Sequence, residues 1–287
     1  MVALALILFF VSCDKEEPIP SYIHIPAFDL NVLSNGTQGS NAHNIVDAWV
    51  YVGSDFIGVF ELPTTIPILK EGEQEILIVA GVKKNALSTS RVPYPFFKPY
   101  KITQKLTPAL IDTLFPVVTY NSSLNFVWME DFEDQTISME KSGNTTTIDS
   151  MSITDLPSEV FEWDDDDNKY SGVISMDTGF QIFEHSTVKL FDLPRGGQDI
   201  YLELNFNTNT EFIVGIYPIT GSVVQGVPIV NLYPTDGKWK KVYISLKEDV
   251  NSAAYQGAEF RVVFNAQTNS DGKIPKIYLD NIKLIHF

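Results

Sequence analysis

The densest chemistry in the sequence is a run of four carboxylates, Asp164-Asp165-Asp166-Asp167, followed by Asn168 and flanked by Trp163 and Tyr170. Adjacent carboxylates repel one another unless a cation or water screens them, and this run lacks the alternating ligands and central glycine of an EF-hand loop. It reads either as a solvated loop or as an oxygen-rich metal site. Sugar rings stack on aromatic faces that lie beside polar groups, so Trp163 and Tyr170 are candidate ligand-binding residues. Packing of Trp163 into a core is the alternative. The histidines, His24, His43, His185 and His286, are too scattered for a zinc motif, and no nucleophile elbow or phosphate-cradling glycine loop occurs. Two carboxylates at the correct separation would suffice for glycoside hydrolysis. With 36 Asp and Glu, however, chance pairs abound, and a non-enzymatic protein is expected.

The elements that must position these residues are bounded by composition. A chain of 287 residues suggests two domains, each able to bury a core. With 44% hydrophobic and 20% charged residues, wholesale disorder does not fit. A formal charge of -16 repels phosphate backbones, so nucleic acid is not an expected partner. The single cysteine, Cys13, excludes an intrachain disulfide and leaves one thiolate for any zinc site.

Residues 2–11 are wholly apolar, about 15 Å long as a helix, too short to cross a bilayer and of the length of a secretory h-region. The run ends in Phe10-Val11-Ser12-Cys13, which resembles the bacterial lipobox. The resemblance implies that residues 1–12 are a signal peptide and that Cys13 carries the lipid anchor to the membrane. Asp14-Lys15-Glu16-Glu17 is similar to the export signal of Bacteroidetes outer-membrane lipoproteins, which implies a cell-surface location. Met1-Val2 supplies no basic n-region, a departure from the pattern. Residues 13–20 form a tether stiffened by Pro18 and Pro20.

Beyond residue 20, β-branched and aromatic runs recur between turn clusters without sustained helical periodicity, which predicts an all-β protein. Residues 21–122 are expected to form one small β-sandwich and residues 123–287 a second, divided at the polar turn Asn121-Ser122-Ser123. Strands are expected over 22–30, 48–52, 56–62, 74–83, 100–106 and 115–120. The second unit adds 171–175, 188–191, 200–206, 211–217, 227–233, 239–245, 259–265 and 276–285. Alternation over 201–206 and 276–284 marks half-buried strands. Residues 247–257 are the one modest helix candidate. The Pro-rich stretch 92–100 is either a ligand-facing loop or a packed crossing in which Tyr94 and Phe96 cover the sandwich.

Two family resemblances follow. The hairpin Val50-Tyr51-Val52-Gly53-Ser54-Asp55-Phe56-Ile57-Gly58, with Leu62-Pro63 and Glu71-Gly72-Glu73 after it, resembles PEGA-type surface domains. It implies an immunoglobulin-like or PEGA-like fold. Met129-Glu130-Asp131-Phe132-Glu133-Asp134, Asp236 to Leu246 around Trp239, and Ile277-Tyr278-Leu279-Asp280-Asn281-Ile282 resemble jelly-roll (galactose-binding-like) carbohydrate-binding modules. That resemblance implies glycan binding and a structural calcium held by acids of the first and last strands: Glu133 and Asp280, with Asp131 next. Hard cations take six to eight oxygens, which clustered carboxylates supply once the fold joins the chain ends. The alternative is that these acids cap their own turns or face solvent. Asp112-Thr113-Leu114 and Asp149-Ser150-Met151 are similar to Bacteroidetes O-glycosylation triplets, expected to be used only on exposed loops. The expected function is a lipid-anchored surface protein that binds glycan, with an accessory subunit of an envelope complex as the alternative and a glycoside hydrolase behind it.

Overall fold

A computed structural model describes residues 17–34, 36–142, 151–163, 167–177, 181–221, 223–224, 226–268 and 274–287. Cys13 with its apolar leader, Asp164 to Asp166, and the Asp149-Ser150 pair lie outside the described residues.

The first ten strands are β1 (Ser21–Ile25), β2 (Asp29–Asn31), β3 (Asp47–Val52), β4 (Asp55–Glu61), β5 (Thr64–Ile68), β6 (Gly72–Lys83), β7 (Arg91–Pro93), β8 (Tyr100–Leu106), β9 (Ile111–Thr113) and β10 (Val117–Thr119). A five-stranded sheet runs β4-β3-β6-β7, with β8 also on β6. A three-stranded sheet β5-β1-β9 and the pair β10-β2 lie apart from it. Ile23, Ile25, Ile66 and Ile68 of the smaller sheet share one core with Val50, Val52, Ile76 and Ile78 of the larger. The strand predicted over 22–30 is two strands, because Pro26 has no N–H to donate and breaks the ladder. Its halves pair in parallel with β9 and β10. The β3–β4 hairpin turns at Gly53, whose φ of 61° is easiest for glycine.

The remaining elements are β11 (Asn125–Glu130), β12 (Met139–Lys141), β13 (Ser152–Thr154), β14 (Ser171–Ser175), β15 (Ile182–Thr187), β16 (Ile200–Thr208), β17 (Phe212–Thr220), β18 (Val223–Val224), β19 (Val227–Leu232), β20 (Lys240–Ser245), α1 (Lys247–Val250), β21 (Glu259–Gln267) and β22 (Lys276–His286). They form two six-stranded antiparallel sheets, β13-β14-β22-β16-β20 with β11 on β22, and β12-β15-β21-β17-β18 with β19 on β17. Leu202, Leu204, Leu279 and Leu284 from one sheet meet Phe183, Val214, Val262 and Phe264 from the other in a jelly-roll β-sandwich core.

Three expectations are corrected here. The helix over 247–257 is one turn of α-helix followed by a 3₁₀ turn at Ala253–Tyr255. Residues 188–191 leave the ladder, because the Thr187 hydroxyl donates to the Lys189 carbonyl and turns the chain, so only Phe191 bridges back to Phe260. The alternation of β22 slips at Asp280-Asn281, where a bulge with Asn281 at φ 47° sets two residues opposite one. Leu279 and Ile282 therefore both face the core, while Asp280 and Lys283 share the outer face.

That outer face meets the N-terminal unit. The Pro-rich stretch is a packed crossing: Tyr94 and Phe96 are buried, with ring centroids 5.1 Å and 5.5 Å from Tyr201. Tyr201, Tyr243 and Ile285 belong to the same core cluster as the N-terminal strands, so the two units share one interior.

Candidate functional site

The outer face of β16, β20 and β22 carries a buried polar stripe where an exposed sheet would carry solvated residues. Glu203 accepts hydrogen bonds from the hydroxyls of Tyr94 at 2.6 Å and Tyr120 at 2.9 Å, and pairs with Lys241 Nζ at 3.2 Å. Burial would raise its pKa, but Lys241, Lys283 and the two tyrosines hold the Glu203 carboxyl below the ordinary carboxylate range. Lys283 Nζ donates to the Ser40 carbonyl at 2.6 Å. Ser40 lies in the segment between β2 and β3, which crosses this face. A Cβ on Gly39 would stand 3.0 Å from Lys283 Cε, so glycine allows the close approach. The same segment brings Asn44, whose side chain donates to the Lys241 carbonyl at 3.1 Å.

Beyond this stripe a cleft of about 510 Å³ opens between the units. The N-terminal unit gives His43, Asn44, Lys83, Ala86 and Ser88 to its walls, and the sandwich gives Phe161, Trp163, Trp239 and Lys240. The aromatics form a chain of ring contacts: His43 to Trp163 edge-on at 5.6 Å, Trp163 stacked on Phe161 at 6.3 Å, Phe161 edge-on to Trp239 at 5.3 Å, and Trp239 to Tyr278 at 6.4 Å. Burial lowers the His43 pKa, Asp29 opposes the shift, and Lys241 adds to it, which favours a neutral ring. Asn205 lies in the lining and is 2% exposed, and its Oδ1 has no hydrogen-bond partner among the described residues. A buried acceptor of this kind costs about 1–3 kcal/mol unless a ligand or water meets it.

Behind the Phe161–Trp163 wall lies a second arrangement. Asp280 is fully buried; its Oδ2 accepts from Asn168 Nδ2 at 2.8 Å and from the Ser171 hydroxyl, and its Oδ1 from the Asn281 N–H at 2.7 Å. Glu133 Oε1 accepts from the Lys169 and Tyr170 N–H groups at 2.8 and 2.9 Å, fixing the segment that leads into β14. Burial, with Glu133 adding its field, pushes the Asp280 carboxyl up to about 8 against the Ser171, Asn168 and Asn281 hydrogen bonds. The Phe161 and Tyr170 carbonyls, at 3.0 and 3.4 Å, join Asp280 Oδ2 around the single nitrogen Asn168 Nδ2. Three oxygens thus converge on an amide with two hydrogens. These oxygens, one carboxylate and two carbonyls, are of the kind a hard cation such as calcium takes, and the Asn168 amide meets them here. Among the described residues no three His, Cys, Asp or Glu side chains form a metal-holding group, so carbonyls would have to supply most of the ligands.

The structure therefore brings Glu133 and Asp280 to one segment. Asp131 is exposed, and its carboxylate accepts from the Glu133 N–H at 3.2 Å in its own turn, so it caps rather than converges. Trp163 is 37% exposed and on the cleft, not in the core. Tyr170 packs against the C-terminal core while its backbone serves Glu133. Phe161, His43 and Asn205 carry no local signal that would have singled them out. Trp239, the tryptophan of the middle motif, is half-buried on the cleft wall. Thr113 is exposed but lies in β9 opposite His24, not on a loop.

No protein-family model matches the chain, and no curated protein matches it. Solved structures with a similar course of chain include β-sandwich carbohydrate-binding modules, and also the enzymatically active domain of a bacteriophage tailspike protein and an exo-β-agarase. One from the β-sandwich superfamily with promiscuous specificity is 15% identical, over 83% of this chain and 84% of that chain, at a TM-score of 0.40. A module in complex with β-1,4-galactotriose is 13% identical over 55% and 94%, at 0.36. A xylan-binding domain from Paenibacillus barcinonensis is 13% identical over 56% and 99%, at 0.34. Likeness of this size assigns no residue here a role.

Proposed function

We propose that this protein is a non-enzymatic glycan-binding protein of the outer cell surface, tethered through lipid on Cys13, that holds saccharide in the cleft between its two units. One observation carries the reading: solvent-reachable aromatic faces, Trp163 and Trp239, stand over a floor in which the buried Asn205 carbonyl oxygen awaits a donor. Flat rings for the apolar face of a sugar and a few converging polar atoms for its hydroxyls are what a saccharide site requires. A structural calcium is part of the proposal. Asp280 and Glu133 would hold it, neutralising a buried carboxyl and fixing the 161–171 segment that presents Phe161 and Trp163.

A glycan array probed with the intact protein, with and without chelator, tests the reading. Binding that falls when calcium is removed supports both parts, whereas absence of binding under either condition overturns the glycan reading. A second reading, docking of another envelope protein, is favoured by the exposed Leu110, Ile111, Phe115 and Val117, which lie on and beside the edge strand β9. Co-purification of a stoichiometric partner, lost when Phe115 and Ile111 become serine, would favour it.

A further inference from the structure

The described lining of the cleft runs against the charge of the protein. Acids outnumber bases by 36 to 20 in the whole chain. The described lining of the cleft nevertheless contains three lysines, and no Asp or Glu. Lys83 comes from the end of β6 in the N-terminal unit; Lys240 and Lys241 open β20 in the sandwich. Lys241 Nζ is tied to Glu203 below the floor and makes no further hydrogen bond among the described residues. Lys240 is exposed and forms no ion pair among the described residues, and Lys83 feels Glu61, which is already clamped by Arg91. Asp164 to Asp166, which follow Trp163 in the chain, lie outside the described residues.

We propose that the cleft takes an acidic saccharide, one whose ring lies on Trp163 and Trp239 and whose carboxylate or sulfate is met by Lys83 and Lys240. This deepens the glycan reading and rests on it. Lysines contributed by both units make the site bipartite, because the sandwich alone would lack Lys83 and His43. Lys83 and Lys240 also draw anionic ligand locally, and neutral sugars gain nothing from them.

Calorimetric titration of the intact protein at fixed free calcium tests this with three probes: α-1,4-tetragalacturonate for carboxylate, a chondroitin sulfate tetrasaccharide for sulfate, and cellotetraose as the neutral control. One acidic probe should bind at least about tenfold more tightly than cellotetraose, and more weakly as NaCl is raised. Lys240→Gln and Lys83→Gln should each weaken that probe by about two- to fivefold, the range for an exposed ion pair, weaken cellotetraose by less, and flatten the dependence on NaCl. Cellotetraose binding that equals both acidic probes and ignores salt would overturn this inference and leave the glycan reading standing. If none of the three binds while an array identifies another neutral glycan, the result is the same. Failure of every saccharide removes both.

Discussion

Trp163 and Tyr170 presented one signal in the sequence, an aromatic beside an acidic tract, and met opposite fates. Glu133 takes the backbone N–H of Tyr170, whose partly buried ring packs against the C-terminal core, whereas Trp163 is left standing on Phe161 with 37% of its surface free. Replacing Trp163 with alanine should therefore weaken glycan binding by about tenfold or more and shift the melting temperature little, since a side chain this exposed contributes modestly to stability. Calorimetry and a thermal melt on the same sample separate the two effects. His185 makes the opposite case. It is buried, stacked on Phe183 at 4.4 Å, opposite Lys141 on β12 and Phe264 on β21. Burial, with Lys141 adding to it, lowers its pKa to about 4. The unfolded chain takes up this proton near pH 6.5 and the folded one resists until about 4, so stability falls as pH drops through that window. Urea unfolding at pH 7 and pH 5 should show the loss, and His185→Leu should lessen it.

At the scale of elements, the bulge in β22 decides the site. Had the pattern alternated without interruption, Asp280 and Lys283 would lie on opposite faces, because a one-residue slip moves a side chain across the sheet. Asn281 takes the positive φ that the bulge needs. The sequence shows the two adjacent polar residues, but not that they bulge; that depends on the pairing of Asn205 with Asp280 across to β16. Addition of calcium should raise the melting temperature of the intact protein, and Asp280→Asn should abolish the increment while leaving the apo protein folded. β14 depends on an equally close fit. A Cβ on Gly172 would stand 2.4 Å from Phe132 Cζ, so Gly172→Ala should cost about 1–3 kcal/mol through overpacking, read by denaturant titration.

For the whole molecule, the joint between the units behaves as core rather than linker. Tyr94 and Tyr120 donate to a fully buried Glu203, which stands opposite Tyr243 across to β20 and is paired with Lys241. Removing one partner leaves an uncompensated charge, so Lys241→Met should destabilise the protein by about 3–5 kcal/mol in equilibrium unfolding. The turn Asn121-Ser122-Ser123 was legible in the sequence, and Ser123 N–H does bond to Asn121 Oδ1 at 3.2 Å. What it could not disclose is that the strands after it bury polar residues on their outer face. The alternation of Tyr201-Leu202-Glu203-Leu204-Asn205-Phe206 reads as one wet face, yet every residue of β16 is buried, because the N-terminal unit covers it.

Local rules settle what depends on neighbours in the chain. Period-two apolar patterning and glycine at Gly53 were enough to give an all-β chain and most strand positions, since side-chain direction and backbone freedom are properties of a few adjacent residues. Residues that meet across long separations were decided only by tertiary structure. His43, Lys83, Asn205 and Trp239 carry no shared local pattern, and they become one cleft because two sheets from distant parts of the chain bury their faces on each other.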